Sequence, residues 1–417
     1  IQTPHLDQLA SQGMRFDQAY SACPVCSPTR AALLTGKSPA RVHFTGHITS
    51  TREHRHPENS RILPPADLLY LPLEEITLAE ALKPAGYVSA SIGKWHVGHE
   101  GYFPTDQGFD VNVAGWTNGS PPSHFYPYTS NQSWNLSIPT LQGGKPGEYL
   151  TDRLTDEAIR FVENNRSRPF LLYLPYYAVH EPLQAPADLV EKYKQRGTPN
   201  IDPVYAAMVE SVDTNVGRLL ATLDRLDLAG NTVVFFASDN GAVMDTSDNR
   251  PFRAGKGYLY EGGLRVPLLV RWPDHVAPGS VCEIPTISED IYATIVAMVE
   301  GSRPGAPLDG RSLVPDLLGE AEGEPPALHW YYPHYSPQAK QPGAAIRVGS
   351  LKLIEFYDPP SVALYDLSTD LGETRNLAEE RPELTEALLQ RLHAWLDEVG
   401  AIRHTVNPDH MAGDLGD

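Results

Sequence analysis

Cys26-Ser27-Pro28-Thr29-Arg30-Ala31-Ala32-Leu33-Leu34-Thr35-Gly36 is the stretch of this 417-residue chain that says most about its fold and chemistry. The pattern predicts a cysteine held in a turn, followed by a short helix with Pro28 at its first position, where the missing N–H group costs nothing. The start of such a helix is electropositive and can bind an anion. Arg30 lies about one helical turn beyond Cys26, so its guanidinium can reach a group that Cys26 carries. Both features favour the thiolate form of Cys26.

A small buried cysteine in front of a helix is the simpler interpretation of an isolated Cys-x-Pro. The longer pattern here, Cys-x-Pro-x-Arg followed by Leu-Leu-Thr-Gly, resembles the signature of the type I sulfatases, members of the alkaline phosphatase superfamily. In that family the cysteine is converted to formylglycine. The resemblance covers nearly the whole chain and implies a sulfuric ester hydrolase that needs a formylglycine-generating enzyme for maturation.

Composition excludes several classes of function. Hydrophobic residues make up 41% and charged residues 20% of the chain, as in ordinary globular proteins, and no apolar run is long enough to cross a membrane. The formal net charge of −19 argues against nucleic acid or anionic lipid as a partner. The three cysteines do not make a disulfide framework, and only Cys23 and Cys282 remain to pair if Cys26 is reactive. Nothing in the composition indicates an oligomeric state.

Strand and helix patterns alternate along most of the chain. We predict strands over 86–92, 170–174, 232–237 and 267–272, and helices over 3–12, 73–83, 152–165, 203–228 and 288–299. This alternation predicts an α/β fold with a large mixed, mostly parallel sheet flanked by helices on both faces. A shift in composition over 301–326 suggests a catalytic domain of residues 1–315 and a small C-terminal α+β subdomain of residues 316–417. The subdomain is expected to hold antiparallel strands over 345–354 and 362–367 and a closing helix over 382–399.

Two candidate residues follow the predicted strand 86–92. Alternation places Lys94 and His96 on the same side of an extended segment, as a shared site requires. In isolation such residues are more often surface decoration. Their block, Gly93-Lys94-Trp95-His96-Val97-Gly98, resembles the sulfatase motif GKWHLG, which implies contacts of the lysine and the histidine with sulfate and with formylglycine.

The ends of two later strands carry further candidates. His180 follows the strand 170–174 and matches the histidine of the family's HxP motif. Asp239 and Asn240 follow the strand 232–237; Asp-Asn-Gly alone is a turn signal, but at a strand end it offers two oxygen ligands for Ca²⁺ or Mg²⁺. The family uses this pair as metal ligands. The block 252–267 resembles the segment that carries a second sulfate-binding lysine, here Lys256.

The resemblance therefore implies a site whose roles we assign as follows. The catalytic residues are Cys26, Arg30, Lys94, His96, His180 and Lys256, and the ligands of a Ca²⁺ or Mg²⁺ ion are the modified Cys26, Asp239 and Asn240. Formylglycine hydrates to a gem-diol, one oxygen of which attacks sulfur and expels the alcohol, and collapse to the aldehyde then releases sulfate. His180 is assigned to the leaving oxygen and His96 to the diol hydroxyl.

The first residues of the chain depart from the family pattern. Residues 1–10 look like the segment that normally follows the first strand of a sulfatase, and that strand ends in an Asp-Asp pair that supplies two metal ligands. We expect this strand and its ligands to be missing from residues 1–417. No signal peptide is present in these residues, although the resemblance implies a periplasmic or secreted protein.

Two other classes of function stay open. The same scaffold could carry a phosphodiesterase or phosphonate hydrolase, and without the Asp-Asp pair the protein could be a non-catalytic sugar-binding relative. Several blocks look most like bacterial sulfatases of polysaccharide degradation, which makes sulfated sugars, with galactose or N-acetylgalactosamine sulfates first, the expected substrates. Loop histidines that could reach a site are His43, His47 and His54. The long segment 115–147 is expected to form a pocket wall. Contacts to the leaving group are possible for His329, Tyr331, His334 and Arg347, each of which is more often structural.

Overall fold

A computed structural model describes residues 1–48 and 56–413 of the chain. The helices are α1 Pro4–Gln12, α2 Cys26–Thr35, α3 Pro39–Val42, α4 Leu78–Leu82, α5 Leu150–Asn165, α6 Ala187–Arg196, α7 Pro203–Arg225, α8 Glu261–Leu264, α9 Glu289–Met298, α10 Val314–Leu317, α11 Pro382–Glu398 and α12 Pro408–Gly413. The strands are β1 Met14–Phe16, β2 Ala19–Tyr20, β3 Ile62–Leu63, β4 Val88–Ile92, β5 Val111–Val113, β6 Phe170–Tyr173, β7 Val234–Ala237, β8 Leu268–Arg271, β9 Ser280–Cys282, β10 Thr286–Ile287, β11 Leu328–Tyr332, β12 Gly343–Val348, β13 Leu351–Tyr357, β14 Pro360–Asp366 and β15 Thr405–Val406. Helices of the 3-10 type cover Lys83–Ala85 and Ala229–Asn231.

Two sheets lie at the centre of the α/β part. One is parallel, in the order β5-β4-β6, and the other is mixed, in the order β7-β8-β1-β9. In the mixed sheet β1 runs antiparallel to β8 and parallel to β9. Apolar residues of α1, α5 and α7 pack against β6 and β7 in one cluster, while α4 and α9 pack together in another that includes Leu171 of β6. The predicted α/β fold is confirmed, and its large sheet is divided into these two parts.

A slot separates the two sheets. β6 is the last strand of the parallel sheet and β7 the last of the mixed one, and among the described residues no strand pairs with their outer edges. Both strands line a cavity of about 1460 Å³. Their side chains are largely apolar yet partly exposed, unlike those of the fully buried β8. Because a free apolar edge readily pairs with another strand, this slot has the character of a seat for one more strand.

The C-terminal part is built on an antiparallel sheet in the order β11-β12-β13-β14. Leu388, Leu392 and Leu396 of α11 pack against this sheet. The predicted single strand over 345–354 is wrong, because the chain turns at Gly349, which has a φ of 57°, and forms β12 and β13 instead. One core cluster joins residues of both parts, so the boundary between residues 315 and 316 stays a prediction.

Other predicted bounds need adjustment. The helix expected over 73–83 begins only at Leu78, because Thr77 and Glu80 form a capping box that fixes its start. The segment 38–61 was predicted to be a loop, but Ser38 caps the short helix α3. The 23-residue α7 is the longest helix of the described ranges, as expected. In these ranges no helix is long and apolar enough to cross a membrane.

Candidate active site

Cys26 is the first residue of α2, so the predicted turn before the helix is wrong and Pro28 occupies the third helical position. Val25, in extended conformation, precedes the helix, and Pro28 is tolerated because the first-turn N–H groups have no intrahelical partner anyway. The helix ends at Gly36, as predicted, with a φ of 69°. A Cβ atom at that position would lie 2.6 Å from the ring of Tyr292, so the site's helix is anchored at both ends.

His96 lies next to Cys26. The Nδ1 atom of His96 is 3.3 Å from the Sγ atom of Cys26, and its Nε2 atom is 3.1 Å from the carbonyl oxygen of Ile48. A carbonyl can only accept a hydrogen bond, so Nε2 carries a proton and Nδ1 faces the thiol. Gly119 lies against the imidazole, where a Cβ atom would come within 2.3 Å of Cε1. The ring is therefore held in one orientation.

Arg30 points at Asp239 and not back to Cys26. Its guanidinium donates to Oδ2 of Asp239 from Nε at 2.9 Å, with NH2 at 2.8 Å, and to the carbonyl of Lys94 at 2.7 Å. The hydroxyl of Tyr173 lies 3.4 Å from the same guanidinium. Arg30 thereby ties α2 to the ends of β4, β6 and β7.

Lys94 extends the same cluster of charges. Its Nζ atom lies 3.8 Å from Oδ2 of Asp239, and its side chain is buried. Burial lowers the pKa of Lys94. Burial would raise the pKa of Asp239, but the charges of Arg30, Lys94 and Lys256 outweigh it and hold that carboxyl well below its usual range. Asp239 is thus an anion surrounded by cations.

Lys256 and His180 form a pair on another side of the site. The Nζ atom of Lys256 is 3.2 Å from Nε2 of His180, whose Nδ1 atom is 3.2 Å from the carbonyl of Glu181. The pKa of His180 is lowered well below its ordinary value by burial and by the charges of Lys256 and Lys94. His180 is therefore neutral, with Nε2 accepting from the lysine.

The same cations act on the cysteine. Burial alone would raise the pKa of Cys26, but Lys94, His96 and Lys256 together hold it well below the usual range for a thiol. The neighbouring Cys23 shows the opposite effect, because burial raises its pKa. Cys23, Cys26 and Cys282 are all buried and free. Position 26 is thus the one among these three that is built to carry negative charge.

Asp239 and Asn240 offer oxygen atoms to a cation. Asn240 donates from Nδ2 to the carbonyl of Gly241 at 2.9 Å, which directs its Oδ1 atom elsewhere, and this buried oxygen has no hydrogen-bond partner. Such an orphaned acceptor fits a hard divalent ion. Within the described ranges no group of three or more His, Cys, Asp or Glu side chains could hold a metal. The residues present therefore fit part of a Ca²⁺ or Mg²⁺ site.

The other loop and subdomain candidates have structural partners. His43 bonds the carbonyl of Gly400, and His334 bonds Thr45 at 2.8 Å. Tyr331 donates to the carbonyl of Ile402, His329 stacks on Trp395, and Arg347 bonds Tyr20 and Gln18. His47 has an interaction partner, and His54 lies outside the described residues. The structure thus brings together all the predicted catalytic and metal residues and leaves these others outside the cluster.

Sequence reasoning missed several residues at the site. The segment 115–147, predicted as a pocket wall, contributes Gly119 against His96 and the buried His124, whose Nε2 atom lies 3.0 Å from the carbonyl of His180. Burial lowers the pKa of His124 to about 4, so its ring is neutral. Tyr173 and Gln338 also line the cavity. No local pattern marks any of these residues, because each reaches the site through tertiary contacts.

Fold and site together define a hydrolase of the α/β class in which a modified helix-terminal residue meets a cluster of cations. The family description "Sulfatase" matches residues 1–302, and "N-sulphoglucosamine sulphohydrolase, C-terminal" matches residues 253–401. The chain belongs to the sulfatase family of sulfuric ester hydrolases.

Individual relatives agree with this assignment. Arylsulfatase A of Homo sapiens is 33% identical over 95% of this chain and 83% of its own length. N-acetylgalactosamine-6-sulfatase of Homo sapiens is 37% identical over 76% of this chain, which spans only 61% of that relative. The crystal structure of Ps i-CgsB in complex with k-i-k-neocarrahexaose is 28% identical, with a TM-score of 0.77, over 94% of this chain and 87% of that one.

Proposed function

We propose that this protein hydrolyses sulfate monoesters of sulfated sugars, using a formylglycine made from Cys26 and a Ca²⁺ or Mg²⁺ ion. The observation that carries the proposal is the convergence on one cavity of Arg30, Lys94, His180, Asp239 and Lys256 beside Cys26. These residues lie at strand ends and at a helix start, where open α/β sheets bind ligands. Maturation then requires a formylglycine-generating enzyme, and the family relationship favours a periplasmic or secreted location.

The cations would hold the sulfuryl group. Lys94 and Lys256 both lower the pKa of Cys26, so both lie close enough to stabilise negative charge on a group bound at position 26. Arg30 is engaged by Asp239 and would act mainly by holding that carboxylate in place. A formylglycine hydrate at position 26 would supply the oxygen nucleophile and a second hydroxyl through which sulfate departs.

The two histidines have different tasks. Nδ1 of His96 faces position 26 and can take a proton from the hydroxyl there, because its Nε2 proton is already donated to Ile48. His180 is neutral and accepts from Lys256, so the proton for the leaving oxygen comes from the Lys256–His180 pair and passes through Nε2. Protonation at this point assists the departure of an alkoxide.

The metal site would be completed from the slot between β6 and β7. Asp239 and Asn240 supply two oxygens at the end of β7, fewer than the six to eight that Ca²⁺ prefers. A strand seated in the slot, parallel to β4 and β6, would end beside them, and carboxylates there would face Arg30 and Lys94. When bound, the cation would add positive charge beside position 26.

Sugars are the proposed alcohol because named relatives act on or bind them: one is an N-acetylgalactosamine-6-sulfatase and another is solved with a carrageenan-type hexasaccharide. Galactose and N-acetylgalactosamine sulfates are therefore the first substrates to test.

The deciding experiment measures sulfate release by ion chromatography from N-acetylgalactosamine 6-sulfate, with nitrophenyl sulfate, a phosphonate monoester and a phosphodiester as competitors. The matured, metal-loaded protein should prefer the sulfate esters, and Cys26→Ala should be inactive. Preference for the phosphorus esters would favour a phosphonate hydrolase or phosphodiesterase. Saturable sugar binding without turnover would favour a non-catalytic binding protein.

A further inference from the structure

A tight turn of the C-terminal part reaches the cavity. The N–H of Ser336 donates to the carbonyl of Ala339 at 2.8 Å, and the N–H of Ala339 donates back to Oγ of Ser336 at 2.8 Å. These bonds close the turn and leave Pro337 and Gln338 at its tip. Since proline also restricts the backbone, the position of Gln338 is well defined.

The turn rests on the residue that follows Lys256. Gly257 has a φ of 91°, and a Cβ atom there would lie 2.7 Å from Oγ of Ser336 and 3.3 Å from Cβ of Gln338. Gly257 also donates to the carbonyl of Pro24, two residues before Cys26. The absence of a side chain at position 257 therefore lets the turn approach the Lys256–His180 side of the site.

Gln338 faces the cavity that Lys94, His180, Asp239 and Lys256 line. Among the described residues after Val299 it is the only one that lines this cavity. Its side chain is exposed, unlike those of its neighbours Ser336 and Ala339, and its amide makes no hydrogen bond within the described part of the chain. An exposed, unengaged amide at the edge of a charged site is available to a ligand.

We propose that Gln338 is a specificity-determining residue that binds hydroxyl groups of the sugar from which sulfate is removed. This inference rests on the proposed function. An uncharged amide can donate and accept at once, which matches adjacent sugar hydroxyls, whereas the sulfate itself belongs among the lysines. Its place next to Lys256–His180 puts it on the side where the alcohol departs.

The test compares Gln338→Ala and Gln338→Leu with the unaltered, matured and metal-loaded enzyme on N-acetylgalactosamine 6-sulfate and on nitrophenyl sulfate, which has no sugar hydroxyls. Both variants should lower kcat/KM for the sugar sulfate about three- to tenfold, mainly through KM, and change it less than about twofold for the aryl sulfate. Lys340→Ala, an exposed change on the same segment that does not line the cavity, is the matched control.

Equal losses on both substrates would overturn the inference, because they would show that the turn acts by positioning Lys256. Unchanged kinetics on the sugar would overturn it as well. The proposed function fails separately: an unaltered enzyme that releases no sulfate from sugars would refute it before any variant is compared, and Gln338 would lose its assigned ligand.

Discussion

The Nζ atom of Lys256 lies 3.2 Å from the Nε2 atom of His180, so a lysine donates to a histidine that is kept neutral. A neutral imidazole cannot by itself act as the acid for a leaving group, but it can pass on a proton received from its partner. The two side chains come from segments that are 76 residues apart along the chain. Their contact therefore changes the role assigned to His180 from a single acid to one half of a pair.

Loss of His180 should affect poor leaving groups most. A sugar alkoxide needs protonation far more than nitrophenolate, so His180→Ala should reduce turnover of a sulfated sugar much more than that of nitrophenyl sulfate. Lys94→Ala, which removes a charge near the sulfuryl group common to both, should reduce the two rates by similar factors. Steady-state kinetics on both substrates decides the matter, and equal losses for His180→Ala would reassign this residue to sulfate binding.

Removal of Lys256 should resemble removal of His180 more than a model of pure sulfate binding allows. Because Lys256 supplies the proton that His180 passes on, Lys256→Met should lower turnover of the sugar sulfate beyond its effect on nitrophenyl sulfate. In parallel, the pKa of His180 should rise toward its ordinary value, since one of the charges that lower it is gone. The measurement is NMR titration of the His180 ring; an unchanged pKa would contradict the pairing.

Replacement of the modified cysteine should abolish activity without unfolding the protein. Cys26→Ala removes the group from which formylglycine is made, whereas Cys23→Ala leaves it in place, so only the first should be inactive while both keep a cooperative thermal transition. Mass spectrometry of the peptide that contains residue 26 should show formylglycine in protein from a maturing host. Full activity with an unmodified cysteine would disprove this role.

In protein that has not been matured, the Cys26 thiol should ionise at unusually low pH. Its lowered pKa means that the thiolate persists below the pH of about 8.5 at which a free thiol titrates, whereas Cys23 should stay protonated above it. Absorbance at 240 nm should therefore show a low-pH step that Cys26→Ser removes and Cys23→Ser retains. A step at or above the ordinary pH would contradict the electrostatic argument.

Metal binding should depend on Asp239 and on the slot. Asp239→Asn keeps the size of the side chain but removes a charged ligand, so it should weaken binding of Ca²⁺ or Mg²⁺ and abolish activity, as chelation should. Oxygen ligands should also disfavour Zn²⁺. By calorimetry, residues 1–417 alone should bind Ca²⁺ weakly, and full occupancy would show that other residues replace the ligands expected from the slot.

The buried cluster around Lys352 should matter for stability and not for chemistry. Nζ of Lys352 lies 2.8 Å from Glu261 and 2.9 Å from Glu373, and both its side chain and that of Glu261 are fully buried. Lys352→Met leaves the carboxylates without their cation and should lower the free energy of unfolding by about 3–5 kcal/mol. Chemical denaturation measures this loss, and the exposed Lys340→Met is the control. A change below about 1 kcal/mol would mean that the carboxylates take up protons instead.

The amino-acid sequence by itself determined which residues the chemistry uses and where the local elements lie. Cys26, Lys94, His96, His180, Asp239 and Lys256 were identified from short motifs at strand ends and a helix start, and Gly36 from its place at a helix end. Such features are local, because caps, turns and buried strands depend on a few neighbouring residues.

Only the tertiary structure decided how these residues meet. Arg30 could be predicted to point at Cys26 from its helical spacing, but the carboxylate of Asp239, 209 residues later, attracts it more strongly. The contact of Lys256 with His180, the seat of Gln338 against Gly257 and the slot between β6 and β7 have no trace in local sequence. Each depends on distances between segments that pack together only after folding, and electrostatic energies vary steeply with such distances.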